Sequence, residues 1–182
     1  MFAVSGESVR RTLLTGIVAM TLSLSACSDD KPSLPEEKKT SAADKTAADE
    51  KALTKLATDL WKARTESQNN GNTSRAQFAG LLAPGLAEVE LGILQRYKDS
   101  KLLRTGVPKI TAIETTASGE TGEILLCLNE DTWGAEVDGE PAEVAKYGLR
   151  PWGAKAERTP DGWIVTEELK PETLKDERKK SC

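Results

Sequence analysis

Residues 107–130 read VPKITAIETTASGETGEILLCLNE, and their period of two decides the fold class. Apolar residues alternate along 107–117 and again along 121–130, which predicts two strands joined at Ser118-Gly119-Glu120. In the second strand Ile124, Leu126 and Leu128 share one face, while Leu125 and Cys127 share the other. Further strands are expected over 147–158 and 162–169, around Thr159-Pro160-Asp161-Gly162. That turn has a mechanism: proline presets φ, the Asp side chain bonds backbone, and glycine accepts positive φ. Upstream the period is helical. Leu53, Leu56, Ala57, Leu60, Trp61 and Arg64 form one stripe over 47–66, with Thr46-x-x-Asp49 as a capping pair. A second, shorter helix is expected from about residue 75, where Ser74-x-x-Gln77 reads as a capping box. It would put Phe78, Leu81 and Leu82 on one side and stop at Ala83-Pro84-Gly85. A third is expected over 86–104, with Val89, Ile93, Leu94 and Tyr97 inward, Lys98, Lys101 and Arg104 suiting the dipole, and Gly106 as C-cap. Helices followed by an antiparallel sheet mean α+β.

The N-terminus is an export address. Arg10 and Arg11 precede an apolar segment from Leu13 to about Leu24, too short for a permanent membrane span and ending in small residues. Leu24-Ser25-Ala26-Cys27 resembles the lipobox of bacterial lipoproteins. The resemblance implies cleavage after residue 26 and diacylation of Cys27, with the lipid chains holding the protein to a membrane. Arg10-Arg11 serves either the general secretory route, which ordinary n-region charge favours, or a twin-arginine route. Residues 27–44, rich in Ser, Asp, Lys, Pro, Glu and Ala, then read as a flexible tether. The remaining residues, 45–182, suit one domain.

The net charge of −4 comes without a basic patch or basic-aromatic interleaving, so no nucleic-acid partner is expected. Beyond Cys27 only Cys127 and Cys182 remain. In an exported protein they most simply join as a disulfide; otherwise one is a buried thiol and the other an exposed one.

Three N-terminal helices, a meander and a closing hairpin with Asp161-Gly162-Trp163 resemble the NTF2-like (cystatin-like cone) superfamily, and within it small lipoproteins of actinobacteria. The resemblance covers about residues 45–182. It implies a curved antiparallel sheet wrapped around the helices, a cone-shaped pocket, and a recurring pair of cysteines matching Cys127 and Cys182.

The chain contains no histidine, which removes Ser-His-Asp, Cys-His and His-bearing zinc chemistry. No catalytic residue, metal or cofactor is therefore expected. Enzymatic members of the superfamily place a carboxylate in the cone; the positions open to that role are Glu114, Glu123 or Asp131 beside Tyr97. Residues 129–140 carry Asn129, Asp131, Gly134 and Glu140 at offsets like those of a calcium loop. Trp133 occupies a ligand position there, and a solvated turn is the simpler reading. Asn72-Thr73-Ser74 matches a glycosylation sequon without meaning in this setting. Trp61 belongs to the helix stripe. Trp133, Trp152 and Trp163, with Tyr97, either fill the core or line a pocket, and Trp133 is the expected exposed exception. The function expected is a non-enzymatic binding or assembly role at the extracytoplasmic face of the cell membrane. Its partner would be an envelope protein or a small apolar ligand. The alternatives are an NTF2-like enzyme using a cone carboxylate and a carrier of such a ligand.

Overall fold

Helix α1 spans Ala42–Asn70, 29 residues and about 43 Å of helix. The computed structural model describes residues 42–170 together with Glu172, Leu174 and Cys182. The signal segment 1–26, the lipobox, Cys27 and the tether up to residue 41 lie outside the described residues. The stripe read from sequence is the buried face of α1: Leu53, Leu56, Ala57, Leu60 and Trp61 are all buried. Thr46 and Asp49 fall inside the helix and do not cap it.

The second expected helix is a single 3-10 turn, Arg75–Phe78. Ser74 caps it by accepting from the Ala76 N–H at 3.4 Å, but Gln77 does not complete a box: its side-chain oxygen accepts from the Ser67 hydroxyl of α1. Helix α2 follows over Pro84–Asp99, with proline at its first position. It ends five residues before the expected boundary at 104, because Lys101 adopts a φ of 53° and the chain turns into strand β1, Leu102–Gly106. Gly106 therefore closes a strand and caps no helix. Its φ is 85°, and a Cβ there would stand 2.7 Å from the Thr132 carbonyl oxygen.

The remaining strands are β2 Lys109–Ser118, β3 Thr121–Asn129, β4 Trp133–Val137, β5 Glu140–Ala142, β6 Leu149–Thr159 and β7 Gly162–Leu169. All pair antiparallel, in one sheet ordered β2-β3-β6-β7 and another ordered β1-β4-β5. The fold is α+β, two helices packed on antiparallel sheets. The stretch read as a solvated turn in fact holds β4 and the β4–β5 hairpin. Asp138 and Gly139 both take positive φ at its tip, 55° and 83°, the twist a tight hairpin demands.

Helix α1 covers one face of the larger sheet, and α2 packs beside it against β1 of the smaller one. Ile124, Leu126 and Leu128 of β3 meet α1 there, along with Ala154, Ala156 and Val165. Helix α1 approaches closely because β3 carries Gly122, where an added Cβ would stand 2.6 Å from a Leu53 methyl. The opposite face is apolar at one end. Leu125 and Cys127 are buried there, Leu174 and Leu169 both pack over Gly153, and Cys127 is bonded to Cys182 with Cα atoms 5.3 Å apart. A bridge spanning 55 residues contributes about 4 kcal/mol in the chain-entropy account. The outer edge of β7 is closed by the chain before α2: the Val165 N–H donates to Leu81 O at 2.9 Å, and the Ala83 N–H to Val165 O at 2.8 Å.

Replacing Gly122 by valine should force Leu53 out of its fully buried position. The expected cost is about 1–3 kcal/mol, read as a lower urea midpoint with an unchanged m-value.

Candidate functional site

Three elements converge on one guanidinium. Arg64, a turn beyond Leu60 on the buried face of α1, donates from Nε and Nη2 to Glu90 Oε2 of α2, at 3.2 and 2.9 Å. Its Nη2 also donates to Glu168 of β7. Arg64 and Glu90 are buried, while Glu168 keeps about a third of its side chain in solvent. Two carboxylates against one cation leave the trio with one negative charge in excess. Burial raises the Glu90 pKa above the ordinary carboxylate value; Arg64 pulls it back, and the Glu168 charge adds to the rise.

Glu168 reaches this position through a β-bulge. Ala156 pairs with Val165 and Lys155 with Glu167, so Thr166 is an extra residue. Val165 and Glu168 consequently both face the helices, and Glu167 turns to the other side, where it pairs with Lys155 at 2.8 Å. The Arg64 guanidinium also lies over two indoles, 5.2 Å from the Trp61 ring centre and 5.6 Å from that of Trp152. Those rings meet edge to face, 5.8 Å apart and 82° inclined.

Beside this cluster lies an open basin of about 530 Å³. Trp61, Leu128, Pro151, Trp152 and Leu169 supply apolar wall; Tyr147, Arg150, Glu168 and Lys170 supply polar lining. The segment bearing Tyr147 is held in place, since Asp131 Oδ1 accepts from the N–H groups of Tyr147 and Gly148 at 3.0 and 3.1 Å. Arg150 pairs with Glu130 and sits 5.9 Å from the Tyr147 ring centre. The volume falls in the range of small-molecule sites, and the lining favours apolar contact.

Of the four aromatic residues read as pocket candidates, only Trp152 lines this basin. Trp133 is the reverse of the exposed exception: it is 2% exposed, its indole N–H donates to Asn69 Oδ1 at 2.9 Å, and Arg104 covers its ring at 4.1 Å. Trp163 is buried beneath Arg158, 4.5 Å away, which pairs with Asp49 of α1. Tyr97 is half-buried on α2. Of the carboxylates considered for a cone, Glu114 is exposed, Glu123 is half-buried on β3, and Asp131 serves the Tyr147 segment. The calcium-like offsets dissolve in the same way, with Gly134 in β4 and Glu140 exposed in β5. Among the described residues no group of three or more His, Cys, Asp or Glu side chains could hold a metal ion. Sequence reasoning missed Glu90 and Glu168. The available signals were Arg64 on an apolar stripe and Glu90 spaced three after Ala87 and four before Leu94.

No protein-family model and no curated protein matches the chain. Among solved structures it is similar to a Streptomyces avermitilis protein of the NTF2-like family, at 12% identity and a TM-score of 0.45 over 66% of this chain and 94% of that one. It is also similar to a Kribbella flavida protein, at 15% identity and a TM-score of 0.43 over 71% and 97%. A third similar structure is the intermembrane space region of the chloroplast protein ARC6, at 11% identity and a TM-score of 0.45 over 66% and 95%. These are likenesses of backbone arrangement, and no residue role is carried over from them.

Arg64→Ala should cost about 3–5 kcal/mol by stranding Glu90, whereas Arg64→Met with Glu90→Leu should recover most of that loss in a urea titration. Because the Glu90 pKa is raised on folding, its ionisation opposes the folded state. The contribution is most favourable below the ordinary carboxyl value and is lost as pH rises through the folded one. Wild type should therefore gain stability relative to Glu90→Gln as pH falls from neutral into the ordinary carboxyl range.

Proposed function

We propose that the chain is a lipid-anchored lipoprotein at the extracytoplasmic face of the cell membrane, and that it binds or assembles with an envelope component and is not an enzyme. The observation that carries the reading is the Arg64–Glu90–Glu168 trio. The buried Glu90 carboxylate is held by the Arg64 guanidinium, and the neighbouring basin presents mainly apolar wall for contact. The lipobox ending at Cys27 supports the address. The Cys127–Cys182 bond supports an oxidising compartment. The NTF2-like resemblance supports a scaffold on which small concave sites are common, and fold by itself assigns no chemistry.

The apolar walls of the basin favour a second reading, a carrier of a small apolar ligand. A neutral solvatochromic dye should then brighten on binding, and the gain should be largely lost in Trp152→Ala. A dye response untouched by that substitution would remove the basin from the account.

Intact mass of protein from native-host membranes tests the address. A chain lacking residues 1–26, carrying diacylglycerol and gaining two hydrogens on reduction is the expected result. An unlipidated chain retaining its N-terminus would overturn it.

A further inference from the structure

Two cavities share Trp61 as a wall. One is the basin; the other is a cleft of about 310 Å³ between α1 and the β1–β2 link, where Trp61, Val107, Pro108 and Ile110 supply apolar surface. They follow one row across the sheet, because Ile110 of β2 pairs with Leu128 of β3 and Leu128 with Arg150 of β6. Ile110 lines the cleft, and Leu128 and Arg150 line the basin. The polar groups of the cleft are already committed. Thr58 and Thr65 donate to the carbonyl oxygens of Thr54 and Trp61 at 2.9 and 2.7 Å, and Lys62 pairs with Glu66 at 3.8 Å. The exception is the shared wall itself. Trp61 is 7% exposed, and its buried indole N–H has no hydrogen-bond partner among the described residues. A donor enclosed without an acceptor forfeits the hydrogen bond it made to water in the unfolded chain.

We propose that the basin and the cleft are the two ends of one groove for an elongated apolar molecule with a carbonyl oxygen inside its chain, and that this oxygen accepts from the Trp61 indole. The proposal rests on the reading of the basin as a carrier site and adds the class of ligand. The longer apolar arm fills the basin and the shorter arm the cleft. The N–H is enclosed in this structure, so entry of the chain tilts the indole, and the new hydrogen bond offsets the tilt. That bond also fixes the register of a molecule that could otherwise slide along the row. A plain hydrocarbon leaves the donor unmet and is bound less well.

Tridecan-5-one and tridecan-2-one test the groove, since they share length and composition and differ in where the carbonyl stands. Both partition alike into lipid, so they are compared on the full chain in phospholipid nanodiscs by NMR of the indole N–H resonances. Trp152 borders the basin, and its resonance reports the affinity. The 5-isomer should bind wild type about tenfold more tightly, because its oxygen can meet Trp61 while apolar arms occupy both cavities. In Trp61→Phe, which keeps an aromatic wall without the donor, both isomers can slide to fit and should agree within about twofold. In wild type the Trp61 N–H resonance should move downfield with the 5-isomer. That of Trp163 should not move, since its N–H is also unpartnered but it lines neither cavity. This readout stands if Trp61→Phe fails to fold. Isomers that bind wild type equally, or a Trp61 resonance unmoved at saturation, would overturn the proposal and leave the carrier reading in place. If neither ketone binds, the carrier reading falls with it.

Discussion

The guanidinium of Arg64 holds both helices to the larger sheet. It spans α1, α2 and β7 through Glu90 and Glu168 and lies over Trp61 and Trp152. A buried ion pair adds little net stability, because desolvation offsets attraction, but it discriminates sharply against arrangements that leave one member alone. Any slip of α2 along α1 would strand Glu90, and any change in the β7 register would swing Glu168 to the far side. The extra residue Thr166 is what makes the second of these contacts geometrically available.

The basin follows from that arrangement. Nearly all the space between α1 and β3 is filled by leucine, isoleucine, alanine and tryptophan, and Gly122 lets the helix sit low enough to exclude water. Filling stops where β6 begins. There Trp61 and Trp152 meet edge to face and Asp131 holds the Tyr147 segment alongside. The far face of the sheet solves a separate problem. Leu125 and Cys127 are buried, like the core-facing residues of β3, and they are covered by Leu174 and the disulfide-bound Cys182. A strand apolar on both sides needs a cover on both sides, and the C-terminus supplies the second.

The places where sequence and structure part company share a cause. Val89, Ile93 and Tyr97 form as good a helical stripe as Ala87, Glu90 and Leu94, and periodicity alone prefers the more hydrophobic set. Burial of Glu90 became favourable only because Arg64 waited on another helix, 26 residues away in sequence. The helix expected to run to 104 stops when Lys101 turns left-handed, and Leu102–Gly106 finds a ladder in β4, a non-local partner that no local pattern announces. Asp138-Gly139 was the legible hairpin signal in the stretch read as a solvated turn. Trp133 looked exposed because its flanks are polar, whereas Asn69 and Arg104 enclose it.

The sequence by itself determined the two periods, and with them the α+β class, the buried stripe of α1, the strands on either side of Gly119, the Pro160-Asp161-Gly162 turn and the double-sided burial of β3. These depend on spacing along one segment, where the backbone repeat alone decides which side chains share a face. Tertiary structure decided which face of α2 turns inward, which tryptophan borders a cavity, and which carboxylates meet a cation. Those outcomes depend on charges and volumes contributed by distant segments. The energy of a buried Glu90 or an enclosed Trp133 is set by its neighbours in space, and the chain's own order does not record them.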